Sequence, residues 1–176
     1  MEYELKNSLF KEKKEQTVTK HSILANYLQP WAKIISTHFP RAYYVDAFAG
    51  RGEYESGEEG SPVIAANILI RWQKHHLQFY CICIEKNRER YKSLATSLQD
   101  FNNIIGVETY NNEFLDVIET VLAKIGKYPA FFLIDPEGFS GMDFNKIESI
   151  LSQPHKEVLV NFQYNAMWKT ANIDPL

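Results

Sequence analysis

Four acidic residues stand at or just beyond the ends of apolar runs: Asp46 in "YYVDAFAGRGEY", Glu85 in "CICIEKN", Glu113 in "NNEFLD" and Asp135 in "FFLIDPEGFSG". Asp46 is followed by Gly50 and Gly52, and glycines after a strand let the backbone approach a bound group closely. Glu85 is placed to accept the two ribose hydroxyls of an adenosine, the role of an acid at that point in dinucleotide sites. Glu113 or Asn112, beside the apolar Phe114, is placed to meet an adenine amino group. Each signal alone is weak; three in order, each after its own run, point to an adenosine ligand.

The turn after Asp46 discriminates between adenosine ligands. A dinucleotide loop needs glycine at the third position of G-x-G-x-x-G, and Glu55 stands there, where a carboxylate would repel a pyrophosphate. A nicotinamide-dependent enzyme is therefore disfavoured. S-adenosylmethionine has no phosphate and carries a sulfonium and an ammonium, which suit an acid-rich turn with Asp46, Glu53 and Glu55. At Asp135-Pro136 an aspartate and a backbone carbonyl are placed to accept hydrogen bonds from a substrate amine and hold its lone pair toward a methyl donor.

The elements that must position these residues are legible from the period of the apolar residues. Five short β-branched or aromatic runs predict strands near residues 43–48, 79–85, 104–110, 131–135 and 157–163, separated by stretches long enough for helices. Right-handed crossovers then predict a three-layer α/β fold with a mainly parallel sheet in the order 3-2-1-4-5. Before the first strand, Ile23, Leu24, Tyr27, Leu28, Trp31, Ile34 and Ile35 recur at helical spacing, with Pro30 expected to kink or divide the helix. Ser61 reads as the N-cap of the helix after the glycine turn, with Pro62 opening it. The division expected is a helical extension over 1–42 and the α/β domain over 43–176. Two further antiparallel strands of a methyltransferase-type sheet find no counterpart, so either the chain is a fragment of a longer protein or, if it is whole, an uncovered fifth strand and self-association are expected.

Composition bounds the rest. The 176 residues carry a net charge of −3, 45% hydrophobic residues and two cysteines, Cys81 and Cys83, two apart in one apolar run. That is one domain with a sizeable core, no global attraction for polyanions, and reduced cysteines suited to the cytoplasm. No run approaches the roughly 20 apolar residues of a membrane span, so no membrane association is expected. The Lys11, Lys13, Lys14 and Lys20 cluster reads as a solvated face, His21 as either pocket-facing or solvated at the start of a helix, with solvation the expectation, and His75-His76 as surface. No metal-ligand spacing is present, and no metal is expected.

Taken together, "KHSILANYLQPWAKII", "YYVDAFAGRGEY", "GEEGSP", "IEKN", "FFLIDPEGFSG" and "EVLVNF" resemble, in order and spacing, the three-Cys-motif partner (TcmP) family. These bacterial proteins are similar to class I S-adenosylmethionine-dependent methyltransferases of Rossmann-like fold, and the resemblance covers roughly residues 16–165. It implies S-adenosylmethionine as cofactor, with Asp46, Gly50 and Gly52 as the cofactor loop and Glu85 as the ribose acid. Phe48, Lys86, Glu113 and Phe114 stand beside them as further cofactor contacts. Asp135, Pro136 and Phe139 become the catalytic strand end, and a nucleic-acid base is the implied amino substrate. A three-Cys-motif, radical-S-adenosylmethionine-like protein is the implied protein partner. One departure from amino-methyltransferase motifs stands out: Glu137 and Gly138 occupy the places of a proline and an aromatic ring, with Phe139 one residue on. A methyltransferase-fold protein that only binds its partner is the competing expectation.

Overall fold

In the computed structural model the described residues are 2–54, 56–73, 76–136 and 143–161, with residues 2–16 described by backbone alone. Among these residues five strands form one all-parallel sheet: β1 Arg41–Asp46, β2 Gln78–Ile84, β3 Gly106–Tyr110, β4 Ala130–Ile134 and β5 Lys156–Val160. Their order is β3-β2-β1-β4-β5, the Rossmann-like arrangement expected from the alternating pattern. The central strands read as unbroken apolar runs because both faces are covered: Ala42 to Asp46 are all buried, as are Ala130 to Ile134.

Among the described residues five α-helices supply the covering layers: α1 Glu2–Ile35, α2 Ser61–Trp72, α3 Arg88–Ser97, α4 Phe114–Ile125 and α5 Phe144–Leu151. The two-residue strand period sorts the core into two clusters. On one face Tyr44, Phe79, Cys81, Cys83 and Phe131 pack with residues of α1, α2 and α3. On the other, Tyr43, Val45, Ile82, Ile84 and Phe132 pack with α4 and with Ile150 of α5. Burying a Val, Leu, Ile or Phe side chain is worth about 1.5–3 kcal/mol, so the clusters dominate the driving force.

Leu24, Leu28, Trp31 and Ala32 of α1 belong to the first cluster, so the expected extension over 1–42 contributes directly to the core of the α/β layers. Ile23, Tyr27 and Ile34 of the same stripe stay exposed, although the Tyr27 ring lies 5.4 Å from that of Phe131 and its hydroxyl donates to Glu157 of β5. Pro30 does not divide α1. Its ring removes a donor to the carbonyl of Asn26, and both positions face solvent, where water can serve that carbonyl. Cys81 and Cys83 are buried and free, with Sγ atoms 3.5 Å apart. The two further strands would fall among residues 162–176, outside the described residues.

Candidate functional site at the carboxyl ends of the strands

The register places the turn after β1 beside the ends of β2 and β4: Asp46 pairs across with Cys83 and with Leu133. Ala49 N–H donates to the Ile84 carbonyl and Ala47 N–H to the Leu133 carbonyl, so the first residues of the turn are held from both sides. Gly50 and Gly52 then take φ of +65° and +82°, a region that residues with a Cβ enter at a cost. Gly60 N–H donates to the Gly52 carbonyl at 2.7 Å and closes the loop onto the start of α2. At Gly60 a Cβ would lie 2.7 Å from that same oxygen, which is why no side chain fits.

Asp46 is fully buried, and its carboxylate faces inward rather than into a cavity. It accepts from the Tyr44 hydroxyl at 2.9 Å, the Ser61 hydroxyl at 2.6 Å and the Phe48 N–H at 3.2 Å. Ser61 thus does not cap α2; Gly60 occupies the N-cap and the Ser61 hydroxyl is spent on Asp46. Burial pushes the Asp46 carboxyl up to about 6, with the three donors pulling the other way. Asp46 fixes the loop's shape; it is not itself exposed to a ligand.

Glu85 is 6% exposed and joins two loops. One oxygen accepts from Gly50 N–H at 3.0 Å and the other from Asn87 N–H at 2.7 Å. An ionised carboxylate has about four acceptor positions, so one on each oxygen remains for a pair of hydroxyls. Asn111 reaches across from the end of β3 to donate to the Glu85 and Lys86 carbonyls at 2.9 and 3.1 Å. Around them lies a cavity of about 160 Å³ lined by Phe48, Glu85, Lys86, Asn112, Glu113 and Phe114, among others. The Phe48 and Phe114 rings stand 6.0 Å apart, and Lys86 pairs with Glu113 at 3.3 Å in the open.

A second cavity of about 360 Å³ adjoins the first, and the two share Phe48, Gly50, Arg90 and Asp135 in their walls. Asp135 follows β4, and both its oxygens are engaged: Lys20 Nζ of α1 lies 2.6 Å from one, and Asn161 Nδ2, just after β5, donates to the other at 2.6 Å. Lys20 is accordingly not part of a solvated face. His21 is half-buried and lines the same cavity, its ring 6.2 Å from that of Tyr54. Burial, then the charge of Lys20, lowers its proton affinity below the usual histidine value. It is therefore neutral at pH 7. His76 is exposed, as expected, with Nε2 3.0 Å from the Ser36 carbonyl oxygen.

The structure thus gathers Phe48, Gly50, Gly52, Glu85, Lys86, Glu113, Phe114 and Asp135 around two adjoining cavities. Asp46 lies behind the wall, and Pro136 is buried. Glu55, Glu137, Gly138 and Phe139 lie outside the described residues. Lys20, Asn111 and Asn161 were not singled out as site residues from the sequence, since a lone Lys or Asn carries no local signal. Among the described residues no cluster of His, Cys, Asp or Glu is arranged to hold a metal ion, and no helix is long and apolar enough to cross a membrane.

Fold and site together define a Rossmann-like α/β protein with a crevice at the carboxyl ends of its strands, at the topological switch point. Compared with known proteins, the chain matches no family model and has no significant match among curated proteins.

Proposed function

We propose that the protein binds S-adenosylmethionine across the two cavities and transfers its methyl group to an amino nitrogen of a nucleic-acid base. The observation that carries this reading is the shared wall: the Gly50 turn and the Asp135 carboxylate face one crevice from adjacent strands. The residues fit such a cofactor. Phe48 and Phe114 offer apolar ring surface for an adenine, and Glu85 keeps two acceptor positions for ribose hydroxyls. When bound, the cofactor would supply a sulfonium methyl, whose C–S electron pair stays with sulfur as the acceptor nitrogen forms its C–N bond and gives its N–H proton to the partly exposed Asp135 carboxylate, and from there to solvent. Asp135 would accept the N–H of that nitrogen and orient its lone pair, with Asn161 holding the carboxylate in place.

The engagement of both Asp135 oxygens also favours a second reading, a methyltransferase-fold protein that keeps the pocket and acts by binding another protein, such as a three-Cys-motif, radical-S-adenosylmethionine-like one. Calorimetry with S-adenosylmethionine and S-adenosylhomocysteine tests the pocket, and a labelled-methyl transfer assay over DNA, RNA and protein pools tests the chemistry. The expected result is binding of both ligands and transfer that Asp135→Ala abolishes with little loss of cofactor affinity. Binding without transfer into any pool would establish the second reading; absence of binding would end both the cofactor and the enzyme proposals.

A further inference from the structure

Lys20 lies 115 residues from its partner Asp135 in sequence, on a helix that precedes the first strand. Its ammonium sits on one carboxylate oxygen at 2.6 Å while the Asn161 amide holds the other. The two partners are only 31% and 21% exposed, so bulk water screens the pair incompletely. The described ionic residues on the walls of the larger cavity are Lys20, Arg51 and Arg90 against Glu53 and Asp135, with His21 neutral. The described cations on these walls thus outnumber the carboxylates by three to two, and the Asp135 carboxylate already carries an ammonium.

We propose that Lys20 is a specificity-determining residue that makes the larger cavity select a neutral amino group, of the amide or aminoheterocycle class, and reject alkylammonium groups. The inference rests on the methyl-acceptor reading of that cavity and names its substrate class. An alkylammonium entering beside Asp135 meets the Lys20 ammonium already seated on that carboxylate, in a cavity whose described walls carry more cationic than anionic side chains. A neutral amine loses nothing by that arrangement. It donates to a remaining lone pair of Asp135, and a ring nitrogen or carbonyl beside the amine accepts from Lys20 or Asn161. Lysine side chains and polyamines are thus excluded as acceptors, and planar amino groups are retained.

The test uses the full chain at pH 7.5 and reads the Asn161 side-chain amide resonances, identified by their loss in Asn161→Asp, during titration with cytosine or with n-butylammonium. In the wild type cytosine is expected to move these resonances and to bind about tenfold or more tightly than n-butylammonium, as one opposed charge at contact distance dictates. Lys20→Met should raise n-butylammonium affinity by about tenfold, and Lys20→Arg should restore the wild-type preference. Equal binding of the two probes by the wild type, an unchanged ratio in Lys20→Met, or no response to either probe would overturn the proposal. S-adenosylhomocysteine calorimetry on the same samples separates the two readings. Discrimination between the probes without cofactor binding would sink the methyltransferase reading alone. Cofactor binding without discrimination would sink the role of Lys20 alone.

Discussion

Asp46 determines the sign of one pH dependence. Its carboxyl titrates near 6 in the folded chain against 3.8 as the ordinary value, so between those limits the folded state holds more proton than the unfolded state. Stability from this group is present below pH 3.8 and lost as pH rises toward 6, by about 2–3 kcal/mol. Asp46→Asn should remove that fall, leaving urea-unfolding free energy flatter from pH 4 to 6; an unchanged slope would show that Asp46 is ionised throughout. His21 acts with the opposite sign, since its lowered affinity for protons costs stability as pH falls below 6.5. Comparing Asp46→Asn with His21→Gln separates the two. Glu85→Ala should weaken S-adenosylhomocysteine binding by about 1–3 kcal/mol and, because it also frees the Gly50 and Asn87 N–H groups, lower stability by a similar amount. A loss of binding with full stability would mean that Glu85 meets the ligand but does not hold the loops.

At the level of elements, the turn between β1 and α2 makes a graded prediction. Gly50 and Gly52 both have positive φ, but a Cβ at Gly50 meets nothing within 4 Å, whereas at Gly52 it lies 2.9 Å from the Ser97 Cβ on α3. Gly50→Ala should cost about 1–2 kcal/mol of stability from backbone strain alone. Gly52→Ala should cost more and also weaken cofactor binding, because α3 and the loop must separate. Equal costs in thermal melts would contradict the close approach. These glycines, and the acids at the ends of β1, β2 and β4, were legible in the sequence because strand order alone sends them to one edge of the sheet. Lys20, Asn111 and Asn161 were not, since their roles depend on where α1 lies and how loops bend, which no local period encodes. The Ser61 hydroxyl was misassigned as a cap for a related reason: its partner, Asp46, is fifteen residues back and reached only through the folded turn.

For the whole molecule, strand order followed from alternation and handedness, and the two apolar clusters followed from the strand period. The depth of α1 did not, because its stripe of seven apolar residues looked continuous while only one side of it is buried. Leu28→Ala, at 0% exposure between α1 and the sheet, should cost about 2–5 kcal/mol in chemical unfolding, whereas Ile34→Ala, at 61%, should fall within about 0.5 kcal/mol. Similar effects at the two positions would mean that α1 is not docked as a rigid layer. The sheet order carries a kinetic consequence. β1 is made early, yet it sits between β2 and β4, and its pairing with β4 joins Tyr43 to Ala130. During synthesis the innermost strand must wait with one edge open until nearly ninety later residues have emerged, and such long-range closures slow folding. Phe132→Leu in β4 is therefore expected to slow refolding in stopped-flow measurements more than it speeds unfolding, which makes arrival of the fourth strand the step at which the crevice comes into being.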